Sequence, residues 1–331
     1  MRHRAVYRSL QEAESPAMYE TNSYDLQGRN GNSAPYSGER GMMVVGSERR
    51  VEEQLVQSLF SSEAFRKSMR QLGRSEEEVR AQAFDVVKMV GIEGMWAYFS
   101  NYVQRVMSDV LAGPILDLGS GRGNFVYYGL SQGYDVWGVD IEQDGVDFFR
   151  ERVRLSQVRP EWANRCFVAD GQEMPFESNY FRAVHSNYVL EHIGQLGEVL
   201  RETVRTTRKG GVIFLKAQDS RISYEGHYRI PWLPFMPKHV ARIWLEEFGK
   251  PDGYLGHFNY VTTPQVVAIL EACGCRVLAQ AAPPKIVVSQ HWQLHTEDEV
   301  SMTARKAKQL FESGQWPKQP GSLFVVAVKN G

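Results

Sequence analysis

The sequence predicts an α/β protein built on a doubly wound, mostly parallel sheet, and two patterns carry that prediction. From Pro114 onward short apolar runs alternate with amphipathic segments, the rhythm of parallel strands joined by crossover helices. Within that rhythm the run Ile115 to Phe125 reads as a strand that stops in a glycine turn and opens a helix. Such a turn places a ligand crevice at the carboxyl edge of the sheet.

The elements follow in order. Residues 1–48 are rich in Ser, Asn, Gly, Arg and Glu without a sustained period, and so are expected to form a disordered tail. Over residues 49–110 apolar positions recur at helical spacing, through Val51, Leu55, Leu59, Val79, Phe84, Val87, Met89, Val90, Trp96, Phe99, Val103 and Val106. This helical extension reads as a packing layer, or as a lid over a substrate pocket. The main domain is expected over 111–331, with strands at Ile115-Leu116, Asp135 to Val139, Cys166 to Ala169, Arg182 to His185, Val212 to Lys216, Arg276 to Ala279 and Leu323 to Val328. Helices fill the gaps at Asn124 to Gln132, at Asp144 to Arg154 with Asp144 as cap, at Leu196 to Thr207 before Gly210-Gly211, and at Pro264 to Cys273. Insertions of about 218–260 and 281–320 interrupt the pattern, the first too rich in proline for a simple helix.

Bulk properties narrow the function classes. The 331 residues suffice for one large domain with additions or for two modest ones. Lys plus Arg (38) nearly cancel Asp plus Glu (39), so no nucleic-acid partner is expected. Three cysteines, two of them in a tight C-G-C, fit a reducing compartment and no zinc knuckle. No apolar stretch is long enough to span a membrane, which points to the cytoplasm and leaves peripheral membrane contact open.

The chemistry concentrates in Asp117-Leu118-Gly119-Ser120-Gly121-Arg122-Gly123. Glycines let a ligand approach backbone, and the helix that follows offers free N–H groups. A carboxylate at Asp117 would repel a pyrophosphate and attract an ammonium. The G-x-G-x-G spacing also departs from the dinucleotide fingerprint, whose third glycine falls where Asn124 stands. Asp140 closes the next strand as an acceptor for ribose hydroxyls, and Asp170-Gly171-Gln172 after the third strand suits an adenine.

On these residues, and on Phe181 to Ile193, the segment from about Pro114 to Ala217 resembles the class I S-adenosylmethionine-dependent methyltransferases of the type 11 group. The resemblance implies a Rossmann-like seven-stranded sheet with an antiparallel last strand, here Leu323 to Val328, beside the N-terminal helices and an inserted cap. It implies S-adenosyl-L-methionine as cofactor, whose amino group and sulfonium suit Asp117. The cofactor contacts expected are Asp117, Leu118, Gly119, Ser120, Gly121, Gly123, Asp140, Ile141, Asp170, Gly171, Gln172, Ser186 and Asn187. Arg182 stands where the family often has aspartate.

Methyl transfer needs alignment and exclusion of water, and a proton acceptor when the nucleophile is a hydroxyl. His192 is the first candidate for that base; His185 reads as interior, and His227 and Tyr228 are further candidates. His291 and His295 lie four apart but lack a clear third ligand, so no metal is expected. In the first insertion Tyr224, Tyr228, Trp232 and Phe235 could clamp a sugar or lipid, and Lys238, His239 and Arg242 a phosphate, but the favoured reading is that the segment packs on itself and forms a lid. The expected acceptor is a small molecule, sugar or lipid-linked glycan methylated at oxygen. The alternatives are carbon or nitrogen methylation of a lipid, quinone or other metabolite, and a non-catalytic cofactor-binding or assembly protein.

Overall fold

The computed structural model describes residues 44–281, 296–316 and 322–331. Most of the expected N-terminal tail and the His291/His295 pair lie outside the described residues. The strands in chain order are β1 (Ile115–Leu118), β2 (Val136–Asp140), β3 (Cys166–Val168), β4 (Phe181–Asn187), β5 (Thr207–Gln218), β6 (Tyr224–Glu225), β7 (Ile230–Pro231), β8 (Cys275–Gln280) and β9 (Ser322–Lys329). Seven of them form one sheet in the order β3-β2-β1-β4-β5-β9-β8, while β6 and β7 form a separate small hairpin. Pairings from β3 through β5 are parallel, and β9 runs antiparallel to both of its neighbours.

Both faces of the sheet are covered, which is why β1 is buried at every position and reads as a continuous apolar run around one acid. On one face the helices Ile92–Val106, Asn124–Ser131 and Gln143–Leu155 contribute Phe99, Phe125 and Phe149 to a core with Phe214 of β5. On the other, Leu196–Thr206 and Thr263–Ala272 pack Leu200, Val204, Val266 and Leu270 against Ile213 and Leu215. The order reverses between β1 and β4, so the crevice predicted from the glycine turn falls at the switch point of the sheet.

The N-terminal helices Val44–Ser61, Glu63–Gln71 and Glu76–Val87 build their own core from Leu55, Leu59, Phe65, Val79, Ala83 and Val87, seated on Phe148 of the sheet-covering helix. Ser62 and Ser75 start the second and third of these helices by accepting the backbone N–H of Phe65 and Glu78. Phe84 and Val90, which share the apolar spacing, lie about half exposed and off this core.

Three local readings need correction. The helix ending at Thr206 runs directly into β5, and Gly210-Gly211 sit inside the strand where its register against β4 slips. A glycine pair that reads as a turn serves here as an irregularity within a paired strand. Asp144 caps nothing: Glu142 precedes the helix without a side-chain cap, and the Asp144 carboxylate accepts from Ser62 Oγ at 2.8 Å. The third correction concerns the first insertion. Tyr228 and Trp232 face inward, joining Trp244, Leu245 and the helix Glu297–Glu312 in a second hydrophobic core, while Tyr224 is buried beside Phe311 of that helix and Phe235 is left exposed. Burying a large side chain contributes roughly 1.5–3 kcal/mol, so these rings are committed to the fold and cannot also clamp a ligand. Among the described residues, no helix is long and apolar enough to cross a membrane.

Candidate active site

The carboxyl ends of β1 to β4 open on a cleft of about 720 Å³. Its floor is the turn after β1. Gly121 adopts φ +52°, and a Cβ added there would meet no atom within 4 Å, because the position faces open cleft. Gly123, at φ +69°, instead packs against Phe149, which a Cβ would strike at 2.3 Å. One glycine therefore clears space for a ligand and the other lets helix and turn approach each other.

Asp140 at the end of β2 holds this turn in place. Its carboxylate accepts from Gly121 N at 2.6 Å and from Glu142 N at 2.9 Å, with its other lone pairs available to the cleft that it lines. Burial raises its pKa, against the lowering effect of the two amides. Next to it Ile141 is 66% exposed on the cleft wall, which with Leu118, Val139, Ala169 and Val199 makes an apolar slot of the kind a flat ring covers. Asp170 stands at the rim, where its carboxylate accepts from Gln172 N at 2.9 Å and fixes the turn.

Of the expected contacts, Leu118, Gly119, Gly121, Asp140, Ile141, Asp170, Gly171, Gln172, Asn187 and His192 line the cleft. Asp117, Ser120, Gly123 and Ser186 lie behind its wall, buried. Asp117 is the instructive correction. Successive strand residues face opposite sides, and its carboxylate points under the helices, where its Oδ1 lies 2.7 Å from Nδ1 of His185, its register partner on β4. The His185 ring stacks on Phe125 at 3.8 Å. The acid that reads as an ammonium partner thus pairs with Nδ1 of an imidazole buried in the sheet. Ser186 is likewise spent on Leu118 O, at 3.0 Å. Arg182 pairs with Asp109 and packs against Gly113.

The opposite end of the cleft is built from side chains. Tyr188, at φ +56°, turns the chain out of β4 into a short helical turn, Leu190–His192. That turn buries Glu191 and presents His192 to the cleft. His192 Nδ1 lies 2.6 Å from His257 O, and a carbonyl only accepts, so Nδ1 carries the proton. Nε2 of His192 then faces Nε2 of His227 at 3.2 Å. His227 Nδ1 in turn lies 2.7 Å from Oε1 of the buried Glu225, whose Oε2 accepts from Tyr228 N. Arg74, from the loop after helix Glu63–Gln71, donates to His227 O at 2.7 Å, and Ala64 and Ser68 of that helix line the cleft itself. The N-terminal extension is therefore both packing layer and cleft wall.

Electrostatics separate the two imidazoles. Burial lowers the pKa of His192. Burial alone would lower that of His227 too, but the hydrogen bond and charge of Glu225 override it and raise the value. Burial pushes Glu191 up to about 7. Sequence reading kept His227 as a secondary candidate and missed Glu225, Tyr254, His257 and Arg74. The only local signal was the Glu225-x-His227 spacing, which acquires meaning once the hairpin β6–β7 sets both beside His192.

Residues 116–215 match the family model described as a methyltransferase domain. The chain is similar to a ubiquinone/menaquinone biosynthesis C-methyltransferase of Chromobacterium violaceum, 27% identical over 177 residues that take in 49% of this chain and 67% of that enzyme. It is also similar to a sterol 4-C-methyltransferase of Caenorhabditis elegans, 28% identical over 120 residues, 34% of this chain and 35% of that protein. Similar solved structures include a geranyl diphosphate methyltransferase with S-adenosylmethionine, at TM-score 0.44 and 14% identity over 75% of this chain and 90% of that one. The glycine turn and the acid after β2 lie within this stretch, so residues 116–215 carry a methyltransferase domain, on a sheet that the antiparallel β9 extends.

Proposed function

We propose that the protein methylates a small hydroxyl-bearing acceptor of hydroquinone type at ring carbon, with His192 removing the hydroxyl proton. The observation that carries this reading is the relay at the β4 end of the cleft: His192, His227 and the buried Glu225, each within hydrogen-bond distance of the next. The names of the similar quinone and sterol enzymes, all carbon methyltransferases, favour carbon over oxygen.

On this reading the glycine turn at Gly119 and Gly121 receives the methionine end of the cofactor, Asp140 the ribose hydroxyls, and Ile141 with Asp170 to Gln172 the adenine. When bound, S-adenosylmethionine supplies an electrophilic methyl carbon on a sulfonium. The residues of the chain do the rest. His192, a neutral imidazole because burial lowers its pKa, accepts the acceptor's O–H proton at Nε2. Its Nδ1–H stays fixed on His257 O, so the ring cannot turn away. Glu225 stabilises positive charge arriving on His227. With the cofactor bound, the activated ring carbon would take the methyl as sulfur kept the C–S electron pair, and the displaced ring proton would leave as the hydroxyl was restored.

The test is product identity. Labelled S-adenosylmethionine is offered with reduced quinones and, separately, with free and lipid-linked sugars, and products are located by NMR. Methyl on a hydroquinone carbon supports the proposal; methyl only on a sugar oxygen overturns it and restores the oxygen acceptor expected from the sequence.

A further inference from the structure

At the acceptor end, three potential ligand atoms from Glu191, His192 and His227 lie within 4.8 Å of one another. We propose that they hold a divalent first-row transition ion such as zinc or cobalt, a two-histidine, one-carboxylate site with positions left open for oxygens of the acceptor. With the ion on Nε2 of His192, the acceptor hydroxyl would lose its proton through coordination to the ion in place of transfer to that nitrogen; this consequence rests on the function proposed above, and the binding of the ion does not.

The geometry of the two rings is the first ground. Each Nδ1 is committed as a donor, His192 to a carbonyl and His227 to a carboxylate, so each Nε2 presents a lone pair. Those lone pairs face each other at 3.2 Å, an arrangement that needs an electrophile between or beside them. Two nitrogens bound tetrahedrally to one ion, with bonds of about 2.0–2.1 Å, are separated by about 3.3 Å. Fixing the far nitrogen of a ligating histidine on a carboxylate or carbonyl is also how metal sites orient their imidazoles, and both patterns are present.

Glu191 supplies an independent second ground. It is 3% exposed, and its Oε2 has no hydrogen-bond partner, while Oε1 accepts a long contact of 3.4 Å from Gln218 N. A buried carboxylate oxygen without a partner costs roughly 1–3 kcal/mol or more, and an ion would satisfy it. The sequence reading expected no metal because it weighed only His291 and His295; 35 residues separate His192 from His227, and the β6–β7 hairpin brings them together.

The test titrates metal-free full-length protein with cobalt(II) and reads visible absorption, with bound metal counted by mass spectrometry. The expected result is one cobalt per chain with the intense bands of a four- or five-coordinate site, lost in His227→Ala and in Glu191→Gln while both variants still bind S-adenosylhomocysteine. If a variant fails to bind the nucleoside, Glu191→Asp with altered cobalt bands serves in its place. Absence of stoichiometric cobalt from wild-type protein that binds S-adenosylhomocysteine overturns the proposal and leaves the imidazoles sharing a proton. Uptake of cobalt by protein that methylates no hydroquinone upholds the metal site and overturns the acceptor class instead.

Discussion

At the β1 to β3 end the cleft is made largely of backbone and of residues next to one another in sequence; at the β4 end it is made of side chains from three distant segments. Gly121, Asp140 and Ile141 belong to two successive strand ends whose register is set by pairing. Ser68, His192 and Tyr254 come from an N-terminal helix, a turn after β4 and a loop of the first insertion, and His227, on the insertion's hairpin, stands behind His192. On the proposed function the first kind of wall receives a cofactor shared by many enzymes, while the second can change with the acceptor without disturbing the sheet.

Substitutions can break this contrast or sharpen it. The largest effect is expected from Gly121→Val, which imposes a branched side chain on a positive φ and fills the open floor; S-adenosylhomocysteine affinity should fall by about a hundredfold or more. Circular dichroism should remain native, since nothing lies within 4 Å of the new Cβ. Asp140→Asn comes next. Replacing a charged acceptor by a neutral one should weaken nucleoside binding by about tenfold in calorimetry.

Asp117→Asn separates the two readings of that acid. The structure predicts a loss of roughly 1–3 kcal/mol in urea unfolding, from the broken contact with buried His185, and nucleoside affinity within about twofold of wild type. An intact fold with collapsed affinity would mean that the carboxylate reaches the cofactor after all. The smallest effect is expected from Arg74→Met, which removes the support of His227 O: kcat should drop by about threefold at unchanged S-adenosylhomocysteine affinity.

What was legible in the sequence follows the same division. Strand ends and glycine turns are local, so β1 to β4 and most of the residues that line the cleft at their carboxyl ends could be read from spacing and residue type. Asp117 was misread because a short apolar strand does not reveal which face an acid takes, and its partner His185 lies 68 residues on. Gly210-Gly211 misled for a related reason: glycine marks an irregular backbone without saying whether a turn or a strand irregularity results. The insertion was recognised, but its aromatics were left between clamping a ligand and packing on one another because sequence does not show Tyr228, Trp232 and Trp244 meeting in a core. The relay depends on that core, which holds the hairpin carrying Glu225 and His227 and could not be inferred before it.

The most direct test of the account is His192→Ala, measured twice on one preparation: kcat with the acceptor identified by the product screen, and dissociation constant for S-adenosylhomocysteine. A positioned general base contributes about a hundred- to ten-thousandfold, so kcat should fall by at least about a hundredfold while nucleoside affinity stays within about twofold. Retained turnover, or loss of both quantities together, would contradict the assignment of His192 to the acceptor end of the cleft.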